Sequence, residues 1–161
     1  MAGIRGKESY LVKINTGTEA SPTWTALEGI QPGLTFNYSR DAIETTTLDN
    51  TTNVKTYISG DSDFSISGTF NIVPGKMAQE KVLSAAVVGG DGKIKVQWAE
   101  TVGAGEPLHT ADMVVTTGTD TVADPLTFTF EFKLMDEPVT TTQGTSQPQP
   151  TLLWLLQLLV C

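Results

Sequence analysis

Several of the acidic side chains could carry chemistry, among them Asp41, Glu44, Asp49, Asp61, Asp63, Asp91, Asp112, Asp120 and Asp124. None falls into a spacing that a metal demands. The stretch DNTTN at 49–53 lacks the central glycine and terminal glutamate of a calcium loop. The single histidine, His109, lies in a Gly/Pro-rich run with no acid or base beside it, which fits an exposed loop histidine better than a general base. VVGGDGK and TVGAGEP carry paired glycines, but GGDGK follows a helical pattern and leads into a strand, the reverse of the order a phosphate loop needs. One cysteine, Cys161, excludes an internal disulfide and a Cys-based zinc site. These residues predict no enzyme, no metal and no cofactor.

The whole-chain properties narrow the classes further. A chain of 161 residues fits one domain of ordinary size. Its net charge of −8 opposes electrostatic capture of nucleic acid, which needs clustered Lys and Arg on phosphates. The same charge suits either simple solubility or a wall that DNA slides past. MAGIRGKESY lacks the apolar core of a signal peptide, so a cytoplasmic site of synthesis is expected.

The elements that must position these groups are mostly strands. Phe64, Ile66, Phe70 and Ile72 alternate with Ser65, Ser67, Thr69 and Asn71, the period-two pattern of a half-buried strand. Leu126, Phe128, Phe130, Phe132 and Leu134 repeat it against Thr127, Thr129, Glu131 and Lys133. Further strands are expected over 10–15, 23–30, 34–38, 54–59, 62–73, 94–98 and 111–117, with Ser59-Gly60-Asp61 as a hairpin turn and 101–110 as a loop. One helix is expected over 76–88, opened by Pro74-Gly75 and stopped by Gly89-Gly90, with Leu83, Ala86 and Val87 inward and Gln79, Glu80 and Ser84 outward. The fold class is therefore mainly β: a β-sandwich or open barrel with one flanking α-helix. The Thr-rich stretch at 41–54 reads as a long arm, and ordered loops of such length are usually functional.

The domain is expected to occupy 1–137. From 138 the composition changes to a Pro/Thr/Gln linker, followed by the apolar TLLWLLQLLVC, too short to span a bilayer as a helix. Docking on a neighbouring subunit, interfacial membrane attachment and a translation artefact all fit that tail.

The order of features resembles the major tail tube proteins of long-tailed bacteriophages. Trp24 on a strand, Ser39-Arg40-Asp41 running to Thr47, the small-residue strand from Gly60 to Phe70, and the helix from 76 carry the resemblance, which covers 9–135. It implies a ring-forming subunit, six to a ring, with rings stacked head-to-tail into a hollow tube and inner strands joined into one barrel around the lumen. DNA would pass without specific binding. Partners would be other copies of the chain, a tail terminator, a tape-measure protein and baseplate or tip proteins, and the location would be the tail of a virion assembled in a bacterial cytoplasm. The arm residues Arg40, Asp41, Ile43, Glu44, Leu48, Asp49 and Val54 would contact the next subunit or ring, ordering as they do so. Strands over 34–39 and 54–70 would line the lumen, with Asn37, Ser39, Asp61, Asp63, Ser65 and Ser67 facing it. Tubes of secretion systems, tailocins and gene-transfer particles share the expectation. A β-sandwich carbohydrate-binding or capsid-decoration module is the alternative from another class.

Overall fold

The alternating segments become eight strands, and the 3.6-period segment becomes one helix. A computed structural model describes residues 10–45 and 54–144. In chain order the strands are β1 (Leu11–Asn15), β2 (Trp24–Ala26), β3 (Thr35–Glu44) and β4 (Tyr57–Asn71). Helix α1 (Met77–Ala86) follows, then β5 (Lys93–Ala99), β6 (Pro107–Thr121), β7 (Thr127–Leu134) and β8 (Val139–Thr142). All pairings are antiparallel, in the order β2-β1-β5-β6-β7-β4-β3, with β8 added to β6. Among the described residues the fold is mainly β with an open antiparallel sheet and one helix; the alternation predicted the β class and the single helix.

The sheet curls because one face is apolar along most strands. Val12 and Ile14 of β1, Ile94, Val96 and Trp98 of β5, Phe64, Ile66 and Phe70 of β4, and Phe128, Phe130 and Phe132 of β7 share one buried cluster. Trp98 stacks on Phe64 at 4.9 Å between ring centroids, and Tyr10 stacks on Phe36 at 5.5 Å, so the two ends of the strand order face each other across the core. Strand β6 joins the two halves. Its first part pairs with β5 up to Val114, and its second part pairs with β7 out to Thr121.

Several boundaries depart from the sequence reading. Ser59-Gly60-Asp61 is not a turn: β4 runs unbroken through it, and Gly60 and Asp61 together oppose Asp41 as a bulge between the Arg40–Ser62 and Ala42–Ser59 pairs. Bulges and turns favour the same Gly-Asp chemistry, which is why composition confuses them. A Cβ on Gly60 would sit 3.0 Å from the Cβ of Asp41 and 3.2 Å from Ile43, so the close crossing needs glycine. Residues 107–110 belong to β6 rather than a loop, because β5 and β8 flank them and take up their backbone groups. Likewise Val139–Thr142 forms β8, not linker. Residues 151–161 of the apolar tail lie outside the described residues.

The buried face of α1 is also shifted. Ala78, Gln79, Val82 and Ala85 are buried, while Val87 is exposed. Gln79, expected outward, is only 1% exposed. Its Oε1 accepts from the Val73 N–H at 2.8 Å, and its Nε2 donates to the carbonyls of Glu28 at 2.8 Å and Asn71 at 2.9 Å. A polar group so placed is satisfied, and it ties the helix to both flanking segments.

A smaller version of this device holds the β1–β2 turn. Buried Asn15 accepts from the N–H groups of Gly17 and Thr23, each at 2.9 Å. Asn15→Ala should cost about 2 kcal/mol by orphaning these donors. Asn15→Asp, which keeps the Oδ1 acceptor of both N–H groups and loses only the Nδ2 donation to the Thr18 carbonyl, should cost less, and thermal unfolding of the two variants measures the difference.

Candidate assembly surface

Strands β3, β4, β7 and β6 form a four-stranded segment with unlike faces. One face carries the phenylalanines of the core. The other is built from cross-strand rows of small polar residues, because successive side chains on a strand alternate sides. Thr35, Ser67, Glu131 and Thr117 form one row, and Asn37, Ser65 and Lys133 form the next. Thr69, Thr129 and Thr119 lie in another, as do Asn71, Thr127 and Thr121.

Hydrogen bonds run along these rows. The hydroxyls of Thr69 and Thr129 meet at 2.9 Å, and Asn37 Nδ2 donates to Ser65 at 3.4 Å. Glu131 Oε2 accepts from Thr116 at 3.2 Å and from Thr117 at 3.5 Å. Lys133 Nζ stands 3.6 Å from Asp63 Oδ2, an exposed pair worth little to stability. Two acids against one base leave the face slightly negative. Asn37, Ser39, Asp63, Ser65 and Ser67 therefore share it by strand register. Ser65 is buried beneath its row neighbours, and Asp61 lies exposed in the β4 bulge.

Two open edges bound this segment. Among the described residues nothing pairs with the outer edge of β3. At the other end β5 pairs with β6 only as far as Val114, and the Val115 N–H donates to the Gly92 carbonyl at 2.8 Å, so 116–121 of β6 keep one side unpaired. Unpaired strand edges invite another strand.

Beyond Ser65, where pairing with β7 stops, β3 and β4 continue as a two-stranded ribbon. Part of the expected arm is thus strand and not loop: Asp41, Ala42, Ile43 and Glu44 lie in β3 because the β4 partner extends to Tyr57. Arg40 Nη1 donates to Ser59 Oγ at 3.1 Å, and Glu44 pairs with Lys55 at 3.2 Å. Ile43 faces Ile58 across the ribbon. Ile43 is 52% and Ile58 56% exposed, and Tyr38, Tyr57 and Val54 are exposed with them. A protruding apolar ribbon costs solubility unless something covers it. Leu48 and Asp49 of the expected arm lie outside the described residues.

At the ribbon's base a cavity of about 360 Å³ is lined by Tyr38, Arg40, Phe64, Trp98, His109 and Pro138, among others. His109 lies on β6 there, 2.9 Å from Thr140 Oγ1 of β8 and against the Trp98 ring. The structure gives it a strand-tying role that the loop reading missed.

Neither a protein-family model nor a curated protein matches the sequence. Solved structures match the fold. A chain of the tail of an empty gene transfer agent particle, determined with C6 symmetry, superposes with a TM-score of 0.67 at 10% identity, over 86% of this chain and 99% of that one. The SPP1 tail tube superposes with a TM-score of 0.62 at 12% identity, over 89% and 83% of the two chains. The chain has the tail-tube fold. A chain of the sheath–tube complex of an extracellular contractile injection system, PVC, also shares it, with a TM-score of 0.54 at 13% identity over 86% and 91%. Within the tail-tube fold, the polar face, open edges and apolar ribbon are the features left to explain.

Proposed function

We propose that this chain is the structural subunit of a phage-type tail tube, in which rings of six copies stack into a hollow conduit for DNA. The observation that carries this reading is the four-stranded segment with an apolar face, a polar face and an unpaired strand at each side. Strand directions alternate across it, so β3 of one copy and β6 of the next run antiparallel. Ring closure removes both edges at once. Six such segments, tilted as barrel strands are, enclose a bore about 45–50 Å across between backbones, roughly 35–40 Å clear of side chains. The Ser, Thr and Asn rows then line the lumen with Asp63 and Glu131, and phosphates meet hydration and like charge instead of salt bridges.

The exposed ribbon of β3 and β4 supplies the axial contact to the next ring. Tail terminator, tape-measure and tip proteins are the remaining partners of this reading, and the virion tail is its location. An injection device that carries protein is the second reading, favoured by the likeness to the contractile injection system; the gene transfer agent and SPP1 likenesses have the higher TM-scores. Negative-stain microscopy of the purified protein tests the proposal. Hollow rings or tubes are the expected result, and a monomer at every concentration overturns it.

A further inference from the structure

This inference rests on the tube reading and specifies the joint within a ring. We propose that β3 of one copy pairs with residues 116–121 of β6 in the next copy, in the register that sets Ser39 opposite Thr119, and that Arg40 locks this joint onto Asp120 of that next copy.

Three observations converge. The first is facing. Ser39 shares the polar face with Asn37 and Asp63, and Thr119 shares it with Thr129 and Thr69, so the pair continues the polar rows across the joint. Tyr38 and Arg40 point to the other side, as does Asp120, whose β7 partner is the buried Phe128. Only registers that match odd with odd positions keep both faces intact.

The second is stagger. Thr117, Glu131, Ser67 and Thr35 form one row across a subunit. In the proposed register Thr117 meets Asp41 of the next copy, a step of six residues for every four strands, which corresponds to a strand tilt of about 45°. A step of four gives about 35°, so barrel geometry alone admits both.

Charge decides between them. Arg40 bonds only to Ser59 among the described residues, and no ion pair there joins Arg40 or Asp120 to an opposite charge. The six-residue step places Arg40 diagonally across from Asp120, within reach of a long side chain. It also places Arg40 opposite Gly118, whose missing Cβ leaves Ala86 of α1 close above the strand. The last turn of α1, beside Gly118, contains no basic residue that would repel Arg40 there. The four-residue step puts Phe36 opposite Asp120 and moves Arg40 to a position about 13 Å along the strand from Asp120, against about 7 Å in the six-residue step.

Paired cysteines read the register directly, in a Cys161→Ser background. Ser39 and Thr119 lie on opposite edges of one subunit, so a short bifunctional thiol reagent can join them only between copies. Ser39→Cys with Thr119→Cys should give a covalent ladder reaching six chains, several-fold stronger than Asn37→Cys or Asp41→Cys with Thr119→Cys. Tubes that link preferentially through Asn37 or Asp41 overturn the register and leave the tube reading standing. A protein that forms no rings and no ladder with any pair overturns both. Arg40→Asp and Asp120→Arg should each raise the assembly threshold at least tenfold, and the double variant should recover most of it. Failure of that rescue removes the clamp even where the ladder supports the register.

Discussion

Gln79→Leu destabilises the isolated subunit by about 3–5 kcal/mol, because three backbone groups lose their partner while leucine of similar volume supplies none. The Val73 N–H and the carbonyls of Glu28 and Asn71 all depend on this one side chain. For a domain of this size such a loss is a large share of total stability. Chemical denaturation should show a lower midpoint at an unchanged slope. Gln79→Glu supplies the acceptor but turns a donor into an acceptor facing two carbonyls. Its buried carboxyl should titrate higher in the folded than in the unfolded state. The folded form is then helped by protonation, so the Glu variant's deficit shrinks as pH falls and grows as pH rises through the folded-state value. A Leu variant as stable as the parent would show that the network carries no weight.

The second large effect is on assembly and leaves the subunit folded. Ile43→Asp combined with Ile58→Asp changes two residues that are half exposed already. The monomer loses the half of each side chain that is already buried, about 1.5–3 kcal/mol, and the facing carboxylates add to that, so its fold is verified by circular dichroism before assembly is scored. In the tube, covering both side chains contributes about 1.5–3 kcal/mol, half of what full burial of two isoleucines supplies. Removing that contact raises the concentration needed for tube growth by roughly ten- to a hundredfold. Sedimentation of tubes against protein concentration measures it. Tubes growing at the parental threshold would assign the ribbon some other role.

These two cases also mark what a sequence can disclose. Core faces were legible wherever alternation is strict, as at Phe64, Ile66 and Phe70 or at Phe128, Phe130 and Phe132, since period two and burial have the same cause. The polar rows were legible for the same reason: Asn37, Ser65 and Ser67 are the reverse side of that pattern. Gln79 was not, because its partner Glu28 stands 51 residues away, and a glutamine on a helix reads as outward by default. The β4 bulge looks like a turn in sequence because glycine and aspartate serve both. Strand β8 was hidden in threonines beside a proline-rich run, where only the neighbouring β6 makes a strand of them. The open edge at 116–121 depends on where β5 stops alongside β6, a property of pairing that no single strand's sequence contains.

Mechanical load follows from β6. Its Pro107–Thr121 backbone, about 50 Å long, serves the β5 side up to Val114 and the β7 side from there to Thr121. Neither half of the molecule can slide away without dragging that shared polypeptide. A pull along it stresses the β5 and β7 ladders together in shear, so many bonds must rupture at once instead of unzipping singly. A subunit built this way stretches and recoils as one piece under such a load.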